Sequence, residues 1–236
     1  MHTPMPHLKT ASIILFSTAL SAFVQLQSAK TAYAASCSFP TTQQPTLNLQ
    51  RLDGKVLYNN NRTQNSLKRM QQKNGQSTAF GNAWVPVGLT VTEIKYEIDI
   101  KIEAYQLPNN KVCARLYSVD AKVGYDTINV FIARRFRPGT CPYQSIIDHE
   151  NTHVAVFQQA LNNYYPRIQR RLARATTTLQ PAIYRTPSQA AEYLRKRLSA
   201  AIKPLYAEMG RTLKRNNARL DTPERYRSEQ ARCSDW

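Results

Sequence analysis

At 236 residues, 42% of them hydrophobic and 20% charged, the chain has the apolar material for a buried core and is too short for many domains. Its formal charge of +17, from 32 basic against 15 acidic residues, favours acidic partners. Net charge alone does not make a nucleic-acid binder, because no aromatic-plus-basic recognition motif accompanies it.

The chain opens as a leader. Lys9 precedes an uncharged apolar stretch over residues 11–24, and Ala32-Tyr33-Ala34 offers a small-residue cleavage site. The apolar run is shorter than the ~20 residues that span a bilayer. Residues 1–34 are therefore expected to be a secretory signal peptide, and the protein to be exported, periplasmic or extracellular. Without Lys9 and Lys30 the mature chain keeps 30 basic and 15 acidic residues, or +15. Outside the cytoplasm the acidic partners would be envelope polymers or an anionic membrane surface rather than chromosomal nucleic acid. Export also changes the reading of Cys37, Cys113, Cys141 and Cys233, which are expected to form two disulfides. Of the three possible connectivities the favoured one pairs Cys113 with Cys141, both in the segment before the main helix, and Cys37 with Cys233. With no Cys-x-x-Cys spacing, a thiolate zinc site has little support.

Residues 35–90 form a polar segment rich in Asn, Gln, Ser and Thr, with apolar runs only at 55–58 and 83–89. It is expected to hold a strand or two, a mobile loop at 71–78, and conceivably a propeptide. From 91 to 236 the patterning sharpens into the main domain. Ile94, Tyr96, Ile98, Ile100, Ile102 and Ala104 alternate with charged residues, which predicts a long half-buried strand. Leu107-Pro108-Asn109-Asn110 supplies a turn, and residues 112–119 and 128–132 read as further strands of an antiparallel sheet.

After Pro138-Gly139-Thr140 the period becomes helical through Ile147, Val154, Phe157, Leu161, Ile168 and Leu172. Pro166 is expected to kink or divide this helix. A stop at 176–180 and a cap at Thr186-Pro187 introduce a second helix, with its stripe at Leu198, Ile202, Leu205, Met209 and Leu213 and with Pro204 inside it. A short turn or helix over 222–233 closes the chain.

Within the first helix lies His149-Glu150-Asn151-Thr152-His153. Residues four apart stand one turn above each other, so both imidazoles can face one metal ion while Glu150 leans over the same point. Zinc takes imidazole nitrogen readily and, in catalytic sites, leaves a position for water. Glu150 would then act as general base and pass the proton to the leaving amine. The only other histidines, His2 and His7, lie in the leader, so a third ligand has to be a carboxylate, or less plausibly Tyr or Cys. Residues 154–175 hold no acidic residue, which moves the search to the second helix. Counting about 1.5 Å per residue down one helix and up an antiparallel partner brings Glu208 level with the motif, with Asp221 as the alternative. Asp148 is placed to orient a histidine, or else to favour the helix N-terminus. Tyr206 and Tyr226 are conceivable oxyanion donors.

The leader, the alternating strands, the Gly-Thr-Cys loop and the His-Glu-x-x-His helix together resemble the family of predicted bacterial secreted zinc-dependent proteases. The likeness covers roughly residues 91–233 and extends to Leu220-Asp221-Thr222. It implies a zincin-like α+β fold with a Zn²⁺ cofactor. The sheet would pack beside the long motif helix and a second antiparallel helix, and a peptide or protein substrate would lie along an edge strand. Residues 127–134 are the candidate edge. The competing expectation is a non-catalytic envelope-binding or assembly protein that keeps zinc for structure and holds acidic polymers on the basic stretches 167–174 and 211–219.

Overall fold

One long strand, β4 (Val112–Ala133), organises the computed structural model of the protein. The structure describes residues 36–40, 43–74, 85–108 and 110–236; the expected leader lies outside them. Among the described residues β4 is hydrogen-bonded to all four other strands. β1 (Thr46–Arg62) runs parallel to it from Ser118 to Ala133, with β5 (Ala182–Tyr184) antiparallel at Val112 to Ala114 on the same side. β3 (Lys95–Gln106) and β2 (Gly88–Thr92) pair antiparallel with its other side.

The architecture is α+β, as expected, but the sheet is mixed rather than antiparallel. β3 reaches β4 through the tight turn at Leu107, where the Leu107 amide donates to Lys111 and that of Asn110, at φ 59°, to Leu107. β1 reaches β4 only after a helix and two strands, a crossover long enough to bring it back parallel.

The two short strands expected within 112–132 are one element, because residues 118–127 keep the period of two through Val119, Ala121, Val123 and Tyr125. Gly124 sits within that run for a reason of space. Its φ is +139°, and a Cβ there would lie 2.0 Å from the Leu52 carbonyl oxygen of β1. Residues 127–134, expected to form the substrate edge, mostly lie inside β4 between β1 and β2, so the backbone of that stretch is already paired. Among the described residues the strand with an outer edge beside the candidate site is β2.

Among the described residues four helices follow from local signals: α1 (Gln64–Lys73), α2 (Cys141–Thr178), α3 (Pro187–Ala218) and α4 (Pro223–Gln230). Each begins at a threonine whose hydroxyl accepts an amide of the first turn, and Thr140, Thr186 and Thr222 are followed by a proline within two residues. The expected loop at 71–78 is, through Lys73, the end of α1, and from residue 75 it lies outside the described residues. Pro166 and Pro204 do not divide their helices. Both prolines, and the residues four before them, Asn162 and Ala200, are exposed, so water can satisfy the carbonyls left without a donor.

α2 lays one stripe on the sheet through Ile146, Val154, Phe157, Leu161 and Ile168, all buried. Tyr125 of β4 meets it there, ring to ring with Phe157 at 5.8 Å, and its hydroxyl donates to the Phe157 carbonyl at 3.2 Å. α3 packs on α2 through Leu194, Leu198, Ile202, Met209 and Leu213.

Two disulfides form, with a connectivity other than the expected one: Cys37 pairs with Cys113, and Cys141 with Cys233. Cys113 lies at the start of β4 and Cys141 beyond its end, separated by a strand on the order of 60 Å in contour, far more than a disulfide spans. Such bonds suit an oxidising, exported compartment. Among the described residues no cysteine is free, and no helix is long and apolar enough to cross a membrane.

Candidate metal centre

The motif histidines stand on the buried stripe of α2 because four residues separate them, and each is less than a tenth exposed. Their Nε2 atoms lie 3.2 Å apart. A third group, Asp221, arrives from the four-residue connection between α3 and α4, and its Oδ1 is 3.3 Å from His149 Nε2 and 3.2 Å from His153 Nε2. These three residues form a group that could hold a metal ion. Two ligand atoms about 2.0–2.1 Å from a tetrahedral ion lie roughly 3.3–3.4 Å from each other, so the triangle has the right size for one centre.

The other ring nitrogens define the tautomers. His149 Nδ1 faces the Glu229 carboxylate at 2.9 Å, and His153 Nδ1 faces the Asn217 side-chain oxygen at 2.8 Å. Both oxygens only accept, so each Nδ1 carries a proton; without a metal the Nε2 atoms hydrogen-bond to Asp221, and with one bound each would turn its lone pair to the shared point. Arg225 holds Glu229 through Nε to Oε1 at 2.9 Å, and Ser145 of α2 donates to the Glu229 carbonyl at 3.3 Å. Tyr226 donates to Asp221 Oδ1 at 2.6 Å, while its ring lies 5.0 Å from that of His149.

The sequence search for a third ligand favoured Glu208, and the structure places that residue elsewhere. Both of its oxygens are held by Arg167 at 2.9 Å, and the Tyr164 hydroxyl donates to it at 3.1 Å. The reason is helix register. Tyr164 lies fourteen residues before the end of α2, whereas Glu208 lies twenty-one after the start of α3. α3 thus begins about two turns beyond the end of α2, and the level of the motif falls at Asn217.

Asp148 is exposed and accepts from Gln144 at 2.8 Å; the residues that orient the histidines are Glu229 and Asn217. Tyr206 packs on Tyr96 of β3 at 4.6 Å, and among the described residues its buried hydroxyl has no hydrogen-bond partner. Glu229, Asn217, Thr90 and Gly88 went unnoticed in the sequence. The spacing of Asn217 and Asp221 ahead of the second Thr-Pro helix start is the one signal in the sequence.

Glu150 is buried beside the triangle, and Thr90 of β2 donates to its Oε2 at 2.6 Å. β2 comes this close because position 88 is glycine: a Cβ there would lie 2.3 Å from Glu150 Oε1 and 2.8 Å from Ile146 Cγ2. Burial pushes the Glu150 carboxyl up, against the pull of the two histidines and the Thr90 hydroxyl. In the metal-free chain burial pulls the His153 imidazole down, but the hydrogen bond to Asp221 and the charge of Glu150 outweigh it and push it up to about 9. His149 moves in the same direction by the same balance. Burial would raise the Asp221 carboxyl, yet hydrogen bonds from both histidines and Tyr226 hold it well below the usual carboxylate range.

The group opens into a cleft of about 1190 Å³ bordered by β2 and lined by Gly88, Thr90, Glu150, Asp221 and Trp236 among others. A bound cation, a buried carboxylate next to it and an open strand edge would together permit attack of water on a polarised carbonyl. No family model, curated protein or solved structure matches the chain.

Proposed function

We propose that the protein is an exported zinc-dependent metallopeptidase with a zincin-like fold, related to the secreted bacterial zinc proteases that its sequence resembles. The observation carrying this reading is the triangle of His149, His153 and Asp221 with Glu150 buried at its side. Two imidazoles and one carboxylate are a donor set that zinc accepts, and they leave a fourth position free. Zinc held there would supply Lewis-acid polarisation of a water molecule and of a substrate carbonyl. Glu150, its carboxyl raised by burial, would take the proton from the attacking water and return it to the leaving amine. Thr90 orients that carboxylate, and Glu229 and Asn217 each hold an Nδ1 proton, so that both Nε2 atoms could face the ion once it displaces the remaining proton. The outer edge of β2 would align an extended peptide beside the group.

The experiment is Glu150→Gln in the mature chain, assayed for zinc content and for hydrolysis of unstructured protein substrates. Zinc should remain bound, and hydrolysis should fall by about two to four orders of magnitude. Activity equal to wild type in the loaded variant would refute the role of Glu150, and a wild-type protein that holds zinc without cleaving any substrate would favour a structural site.

A further inference from the structure

The charge of this protein is concentrated on one part of the fold. Residues 154–220 carry thirteen Lys and Arg against only Glu192 and Glu208, a net +11 of the +15 expected for the mature chain. All of that stretch is the hairpin of α2 and α3 with the short β5 connection. Helical spacing gathers much of it on facing stripes. On α2, Arg167, Arg171 and Arg174 recur at four and three residues; on α3, Arg197, Arg211 and Arg215 fall on one stripe with Ala201, Pro204 and Glu208.

The two stripes meet across the outer seam of the helix pair. Arg167 grips Glu208, and Arg171 Nε donates to the Ala201 carbonyl at 3.3 Å. Glu208 is the single carboxylate of the seam and is already held by Arg167. Arg170, Arg171, Arg174, Arg197, Arg211 and Arg215 are exposed. Between Arg197 and Arg211 the α3 stripe carries Ala201, Pro204 and Glu208, two of them small, so no bulky side chain separates the arginines there. From Arg197 to Arg215 the stripe runs about 27 Å.

We infer that this arginine-lined seam is a binding site for a linear phosphate polymer. Planar guanidinium forks suit phosphate oxygens, and a row of them about a helical turn or more apart suits anions that repeat along a chain. An anionic membrane is the less fitting occupant: interfacial helices insert large apolar residues among their cations, and between Arg197 and Arg215 this stripe has none, its one exposed aromatic, Tyr193, lying a turn before Arg197. The upper end of the hairpin, at Lys214 and Asn217, also lines the metal-centre cleft, so a bound polymer would hold the cleft against whatever the polymer decorates.

The probe is inorganic polyphosphate, titrated into the mature chain, residues 35–236, across a range of salt concentrations. The triple variant Arg197→Gln, Arg211→Gln, Arg215→Gln is compared with Lys55→Gln, Arg134→Gln, Arg137→Gln, which removes equal charge outside the hairpin. The seam variant should bind at least tenfold more weakly, and the slope of log affinity against log salt should shrink by about 2, for three lost contacts at roughly 0.7 each. The control variant should keep wild-type affinity within about twofold. Circular dichroism and zinc content check that both variants remain folded. Equal loss in the two variants would overturn the assignment in favour of unspecific net charge. Absence of polyphosphate binding, with retention on phosphatidylglycerol vesicles, would overturn it in favour of a membrane surface.

Discussion

At the residue scale, the candidate centre depends on side chains that hold other side chains. Glu229 and Asn217 set the tautomers of the histidines, and Thr90 sets the carboxylate of Glu150. Gly88 tests this dependence without touching a metal ligand. Gly88→Ala would bring a methyl 2.3 Å from Glu150 Oε1, so either that carboxylate or β2 must move. We expect a stability loss of about 1–3 kcal/mol by chemical denaturation, with zinc retained and hydrolysis reduced. Proton linkage gives a second check. In the metal-free chain His153 titrates at about 9, so near pH 7 the imidazole is protonated and a metal must displace that proton. Zinc binding at pH 7 should release protons, seen calorimetrically as a dependence of the heat on buffer ionisation enthalpy, and affinity should rise with pH until about 9. Affinity independent of pH from 6 to 9 would contradict the geometry described for Asp221. The motif itself was legible in the sequence because a single helix carries all of it. Asp221 was harder to single out, since its approach depends on how far α3 overshoots α2, a distance set by the β5 connection and not by either helix.

At the element scale, α2, α3 and β3 were readable because each keeps one period over many residues, whereas the ten residues of α1 bury only Leu67 and left no such pattern. β1 was not: a long edge strand needs few apolar residues, and Leu47, Leu49 and Val56 are spread among Asn, Gln and charged positions. The parallel pairing of β1 and the disulfide connectivity were beyond the sequence for the same reason, since both are decided by where distant segments meet. The Cys141–Cys233 bond gives that placement a consequence. α4 buries only Glu229 and has no buried apolar residue, so it has little hydrophobic attachment of its own. What fixes it is the bond from the start of α2 to Cys233, the Ser145 hydrogen bond and the edge contact of Trp236 with Phe136 at 5.9 Å. The double variant Cys141→Ser, Cys233→Ser should therefore lose about 2–5 kcal/mol of stability and bind zinc at least tenfold more weakly. Cys37→Ser, Cys113→Ser should cost stability alone. Equal zinc affinity in both variants, measured with a competing chelator, would show that α4 needs no such anchor.

At the scale of the whole molecule, the sheet and the helix pair divide the work. β2 presents a strand edge and, in Thr90, a partner for the Glu150 carboxylate, α2 supplies the motif, and the segment after α3 supplies Asp221, the third residue of the candidate group, with its supports. The basic hairpin lies beside this assembly and carries most of the charge. The proposed zinc site of His149, His153 and Asp221 is open to direct test by elemental analysis of purified residues 35–236, of Asp221→Ala and of Glu208→Ala. Stoichiometric zinc is expected in the wild type and in Glu208→Ala, and its loss in folded Asp221→Ala. Zinc retained in Asp221→Ala, or lost only in Glu208→Ala, would contradict it.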